Sequence, residues 1–222
     1  MKKLNSILII SSIIISCNFF TTPIVNAGPN KPKPIKFDLQ CKPTKAVGHK
    51  AKNIIPPEFK SPPKSRIFKF TTNCGDVVIA ADGKNAPVTV FALTALVKGG
   101  FFDQSLCHRL TNNNIYVLQC GDPTATGLGA PNFSYRDENL PGNNENNYPE
   151  GVVAMANSGP DTNGSQFFIV YKNTSLPPNY TIWGKVIEGL EIIQAIAKEG
   201  VLDNKSDGTP KLSISIEKAK VR

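Results

Sequence analysis

From Ile67 onward the apolar and polar positions repeat with a short period that changes along the chain. Ile67-Phe68-Lys69-Phe70-Thr71-Thr72 alternates as a half-buried strand does, and Asp76-Val77-Val78-Ile79-Ala80 follows the turn-forming Asn73-Cys74-Gly75. Residues 86–98 switch to helical spacing, with Pro87 in the first turn and Gly99-Gly100 at the end. Further short strands are predicted at 107–110, 115–121, 152–157, 166–171 and 181–186, and the turn-rich stretches 122–135 and 141–148 separate some of them. A second helix is predicted at 190–197, stopped by Gly200, and a last alternating strand at 212–216. Six to eight short strands with two helices and no regular strand–helix alternation predict a mainly β fold, a closed antiparallel barrel.

The region before Ile67 reads differently. Lys2 and Lys3 precede Ile7-Leu8-Ile9-Ile10 and Ile13-Ile14-Ile15, an apolar run too short to span a bilayer and shaped like a signal peptide. Two processing sites compete. Val25-Asn26-Ala27 offers small residues to an ordinary signal peptidase, whereas Ile14-Ile15-Ser16-Cys17 has the form of a lipobox that would lipidate Cys17. Either one exports the protein, to the cell surface or the extracellular space. The expected organisation is a leader over 1–27, a linker over 28–66 and one folded domain over 67–222.

Charge and cysteines sharpen this picture. The net charge is +8, and residues 28–66 hold ten Lys or Arg against Asp38 and Glu58, with eight prolines. This is an extended basic linker, either a solvated spacer or a contact for an anionic cell envelope. Aromatic residues do not interleave the basic ones, so a nucleic-acid module is not expected. Apart from Cys17 there are four cysteines, an even number that allows three disulfide pairings in an exported chain. Cys107 and Cys120 flank a predicted hairpin, which favours a cross-strand bridge and leaves Cys41 to pair with Cys74. Four buried thiols are the alternative.

The segment Met155-Ala156-Asn157-Ser158-Gly159-Pro160-Asp161-Thr162-Asn163-Gly164-Ser165-Gln166-Phe167-Phe168-Ile169-Val170 is the most informative in the chain. Apolar strands open and close it around a run of turn residues, and Gln166 beside two phenylalanines suits an apolar groove wall with one hydrogen-bonding handle. Such a wall fits an uncharged, partly apolar ligand such as a peptide. The wording resembles the signature segment of the cyclophilins, the cyclosporin-binding family of peptidyl-prolyl cis/trans isomerases. Cys107-His108-Arg109-Leu110, Val117-Leu118-Gln119-Cys120-Gly121-Asp122-Pro123 and the stretch from Ser175 to Val186 resemble further segments of that family.

The resemblance covers roughly 67–218 and implies an eight-stranded cyclophilin-like barrel with a helix capping each end. It implies Arg109 as the catalytic arginine and Gln119 as the glutamine that orients it. It also implies Tyr116, Val117, Ala156, Asn157, Gln166, Phe168, Leu176 and Tyr180 as substrate-binding residues, and Pro-containing polypeptides as partners. Arg109 to Gln119 is two residues longer than in most cyclophilins, with the extra length at 111–114. Ser175 stands where a tryptophan is associated with tight cyclosporin binding, so weak cyclosporin affinity is expected.

These residue types suit the reaction independently of any family. Amide resonance sets a barrier of about 18–20 kcal/mol to X-Pro rotation. At the twisted transition state the prolyl nitrogen becomes pyramidal and basic, and an always-charged guanidinium bonds it more strongly than the planar amide. No nucleophile, metal or cofactor is required. His108 adjoins Arg109 on a strand, so it is read as structural, with its side chain on the other face. Taken singly, Arg109 reads as a surface arginine, Gln119 as a satisfied amide and Phe168 as core; their joint occurrence in order overturns those readings. A non-catalytic module or chaperone that holds proline-containing peptides at the cell surface is the alternative.

Overall fold

The computed structural model describes residues 38–56, 58–59 and 65–222. The expected signal peptide, the lipobox at Cys17 and the first part of the basic linker lie outside the described residues. Among the described residues, ten strands and two α-helices follow one another in the order β1 (Arg66–Thr72), β2 (Gly75–Ala81), α1 (Pro87–Lys98), β3 (Ser105–Leu106), β4 (Arg109–Asn113), β5 (Ile115–Cys120), β6 (Val152–Met155), β7 (Phe167–Val170), β8 (Ile182–Glu188), α2 (Leu190–Glu199), β9 (Asp207–Gly208) and β10 (Ser215–Val221). Eight strands are four residues or longer; β3 and β9 have two residues each.

All strands join one antiparallel sheet in the order β3-β10-β1-β2-β8-β6-β7-β5-β4-β9. β3 and β4 stand near opposite ends of that order, yet only Cys107 and His108 separate them in sequence. The sheet must therefore curl until its ends approach. The ladder is not continuous there; Cys107 N–H donates to Ile214 O at 3.0 Å, which carries the β3–β10 pairing one rung past β3, and the chain itself crosses the gap to β4. Inside the curl, Phe68, Phe70, Phe102, Phe167 and Trp183 pack with ring centroids 5.4–6.5 Å apart, mostly edge to face. α1 covers this core with Val90, Leu93, Leu96 and Val97, and α2 with Ile192, Ile193 and Ile196.

Helix α1 begins at Pro87, where a missing N–H costs nothing, and its preceding residue, Ala86, supplies no side-chain cap. The Glu138 carboxylate does so from across the fold, accepting from Val88 N–H, Thr89 N–H and Thr89 Oγ1 at 3.0–3.1 Å. The last strand differs from the expectation of 212–216 and runs from Ser215 to Val221. Lys211 N–H is taken by Gly200 O and Val201 bridges Pro210, so the residues before Ser215 fold back on the end of α2 instead of joining the ladder. The extra length at 111–114 is ladder too: Thr111, Asn112 and Asn113 pair with Val117, Tyr116 and Ile115 around Asn114, which has φ +62°.

Part of the segment read as a linker lies on the barrel. Residues 38–56 form a strap without regular secondary structure, and Leu39, Cys41, Ala51 and Ile54 pack against the core. Its backbone bonds to Asn73 through Lys42 and to Pro123 through His49. Gly48 lies so close to the Thr124 carbonyl that a side chain there would collide with it. Two disulfides form, Cys41–Cys74 and Cys107–Cys120. The first pins the strap to the β1–β2 turn and closes a loop with a sequence separation of 33. Replacing Cys41 and Cys74 together by serine should lower stability by about 3 kcal/mol, read as a fall in denaturation midpoint under non-reducing conditions.

Candidate active site

Directly opposed residues of antiparallel strands point to the same face. The pairings Arg109 with Gln119, Gln119 with Phe168, and Phe168 with Ala154 therefore draw one row across β4, β5, β7 and β6. The row passes from a guanidinium through an amide to an aromatic ring and a methyl group. A polar side faces an apolar side along one line.

Hydrogen bonds fix the polar side. Arg109 Nη1 donates to Gln119 Oε1 at 3.1 Å, and Gln119 Nε2 donates to Gln166 Oε1 at 2.8 Å. Gln166 Nε2 in turn donates to the carbonyls of Gly127 and Gly129, both at 2.9 Å. Those carbonyls are held by a loop wrapped around Asp122, which is fully buried. Its carboxylate accepts from the backbone N–H groups of Thr124, Thr126, Gly127 and Gly129 at 2.7–3.1 Å. Burial alone would push the Asp122 carboxyl up, but the Thr124 hydroxyl and the N–H groups of Gly129, Thr124 and Gly127 outweigh it and hold the group below its ordinary value.

At the other end, Arg109 Nε and Nη2 donate to the two carboxylate oxygens of Asp207 at 2.7 Å each. The Asp207 hydrogen bonds raise the Arg109 pKa despite partial burial, and the same bonds lower that of Asp207. His108 sits behind the Asp122 loop, beside Gly127, with neither ring nitrogen partnered. Burial depresses its pKa more than nearby Asp122 raises it, and Arg109 adds to the depression.

The apolar side is a cluster separate from the barrel interior. Val117, Tyr148, Ala154, Phe168 and Val170 are buried in it, and Ala156, Leu176 and Tyr180 pack around them. The Phe168 and Tyr180 rings meet edge to face at 5.5 Å. Tyr148 fixes Tyr180 by both backbone groups: its hydroxyl donates to Tyr180 O and accepts from Tyr180 N–H, each at 3.0 Å. Beside the cluster, a cleft of about 190 Å³ is bounded by Gln119, Ala156, Asn157, Ser165 and Gln166. Asn157 Nδ2 donates to Asn179 O at 2.8 Å, tying the cleft edge to the segment before Tyr180.

The structure thus gathers Arg109, Gln119, Gln166, Val117, Phe168, Ala156, Asn157, Leu176 and Tyr180 around one face. Tyr116 does not join them. Alternation along β5 sends Val117 to that face and Tyr116 to the opposite one, where its ring lies 6.0 Å from Tyr171 and Lys172 Nζ sits 4.3 Å above it. Asp207 and Tyr148 escaped the sequence reading. Asp207-Gly208 reads as an ordinary turn signal, and Tyr148 stands in a stretch of asparagines with no apolar period around it.

Comparison with known proteins places the arrangement in a family. The family model described as cyclophilin type peptidyl-prolyl cis-trans isomerase/CLD matches residues 67–221. A probable peptidyl-prolyl cis-trans isomerase B of Mycobacterium leprae is 36% identical over 209 residues, covering 88% of this chain and 68% of that protein. The protein of the same description from Mycobacterium tuberculosis is 37% identical over 207 residues, 87% of this chain and 64% of its own length. The chain thus spans about two thirds of the length of these relatives. A crystal structure of a Cryptosporidium parvum cyclophilin type peptidyl-prolyl cis-trans isomerase superposes with a TM-score of 0.60 at 27% identity, covering 72% of this chain and 98% of the other. A second structure of it, determined in the presence of the dipeptide Ala-Pro, gives a TM-score of 0.59, again at 27% identity, over 70% and 98% of the two chains. With its curled antiparallel sheet, two helices and matched domain, the chain belongs to the cyclophilin-type peptidyl-prolyl cis-trans isomerases.

Proposed function

We propose that this protein accelerates cis/trans isomerisation of X-Pro bonds in exported polypeptides, with Arg109 stabilising the twisted transition state. The observation that carries the reading is an arginine held by Gln119 on the same face as a wall built from Val117, Phe168, Leu176 and Tyr180. A proline ring seated on that wall brings its nitrogen toward the guanidinium. The guanidinium has five N–H donors; Gln119 and Asp207 take three, which leaves two for the substrate. The planar amide nitrogen is a poor acceptor, whereas the pyramidal one accepts readily. The bond therefore strengthens as the transition state is reached, and that difference is what accelerates the reaction. Gln166 and Asn157 hold the peptide backbone beside the ring. The related structure obtained with Ala-Pro supports a proline-containing ligand.

Export is supported by the apolar leader and by two disulfides, which persist in oxidising compartments. Clients are then newly exported chains. Exposed Lys42, Lys45, Lys50 and Lys52 on the strap offer a contact for an anionic envelope, and lipidation of Cys17 would add an anchor.

Arg109→Ala should lower kcat/KM on the order of 100-fold, equal to about 2.7 kcal/mol of transition-state stabilisation, in an NMR-exchange or protease-coupled isomerase assay. A wild type that binds proline peptides without accelerating their isomerisation would leave only a binding module. With Ser175 exposed at the rim of the apolar face, cyclosporin should bind well above nanomolar Kd by calorimetry. Mass spectrometry of the mature protein should find an N-terminus at Gly28 or a lipidated Cys17, and an intact Met1 in secreting cells would refute export.

A further inference from the structure

Resting on that reading of Arg109, we propose that Asp207 is a positioning residue that aims the guanidinium at the substrate. A side-on carboxylate engages Nε and Nη2 together, at 2.7 Å each, so it sets the plane of the group as well as its place. Gln119 alone would hold Arg109 by one bond of 3.1 Å, leaving rotation about that bond free. Arg109 and Asp207 side chains are 42% and 50% exposed, and pairs so open to water add little to folding. What the pair provides is orientation.

The backbone is built to deliver this carboxylate. After α2, Leu202 N–H bonds Thr209 O and Lys211 N–H bonds Gly200 O, which closes a hairpin with Asp207 near its tip. Asp203 and Asn204 turn the tip with φ +57° and +54°, the left-handed region that, glycine aside, these two residue types tolerate best. The tip then docks on β4: Asn112 N–H donates to Ser206 O, and Asp207 and Gly208 pair with Thr111 and Leu110. Gly208, at φ +152° and with Val201 Cγ1 3.2 Å from where a side chain would start, allows the close fit. Asp207 is thus fixed by main-chain bonds to the strand that carries Arg109.

The test measures kcat and KM separately by NMR exchange on a proline tetrapeptide, with folding checked by near-ultraviolet circular dichroism. Asp207→Ala should lower kcat about tenfold with KM within twofold, because a misaimed donor loses transition-state contact while the apolar wall still binds. Asp207→Asn keeps one acceptor and should fall between. In an Arg109→Ala background, Asp207→Ala should change nothing further. Unchanged or raised kcat in Asp207→Ala overturns the proposal and leaves the role of Arg109 intact, as does an equal loss in the Arg109→Ala background. A wild type without isomerase activity overturns both.

Discussion

One strand register sets the site. Arg109, Gln119, Phe168 and Ala154 stand in one row because β4, β5, β7 and β6 pair as they do. A slip of one residue between β4 and β5 would send Arg109 to the face opposite Gln119 and break the row. The register is held by several independent means. Val117 belongs to the groove cluster and Leu118 to the barrel interior, so β5 is buried on both faces and a slip would have to exchange one set of packed side chains for the other. The Cys107–Cys120 disulfide ties the segment leading into β4 to the last residue of β5, immediately beside Gln119. The geometry of this row is therefore a consequence of core packing, and the polar relay only has to aim groups that the sheet has already brought together.

How much of this was legible in sequence depended on whether the signal was local. The β1, β2 and α1 segments announced themselves by period, and the structure finds them within a residue of where the pattern puts them. The final strand was misplaced because Leu212 to Ile216 alternates as a strand should, while the hydrogen bonds that hold Lys211 come from Gly200, eleven positions earlier. Tyr116 illustrates a related limit. Assigning it beside Val117 by position in a motif ignored the fact that neighbours on a strand face opposite ways. Asp207 was invisible for a different reason: only folding brings it to Arg109, 98 residues away.

The strap shows a segment whose composition and location disagree. Eight prolines and ten basic residues in 28–66 read as a spacer, and among the described residues Lys42, Lys45, Lys50 and Lys52 are exposed. Yet Leu39, Ala46, Ala51 and Ile54 recur often enough to give 38–56 an apolar side, and the core has a place for it. The similarity to the mycobacterial proteins covers 88% of the chain, more than residues 67–221 can account for, so it too takes in sequence ahead of the barrel.

The strap also reaches the site from behind. His49 N–H bonds Pro123 O, and Gly48 lies against the Thr124 carbonyl, so the strap backbone rests on the loop that wraps Asp122. The same loop presents the Gly127 and Gly129 carbonyls that hold Gln166. A loop of this composition, with two glycines and no core side chain of its own, has little packing to order it. It is ordered instead by a buried carboxylate within and by the strap without. The Cys41–Cys74 disulfide anchors the strap at its far end, so a covalent bond at the β1–β2 turn contributes, through the short run from Cys41 to Gly48, to where the Gln166 side chain is held.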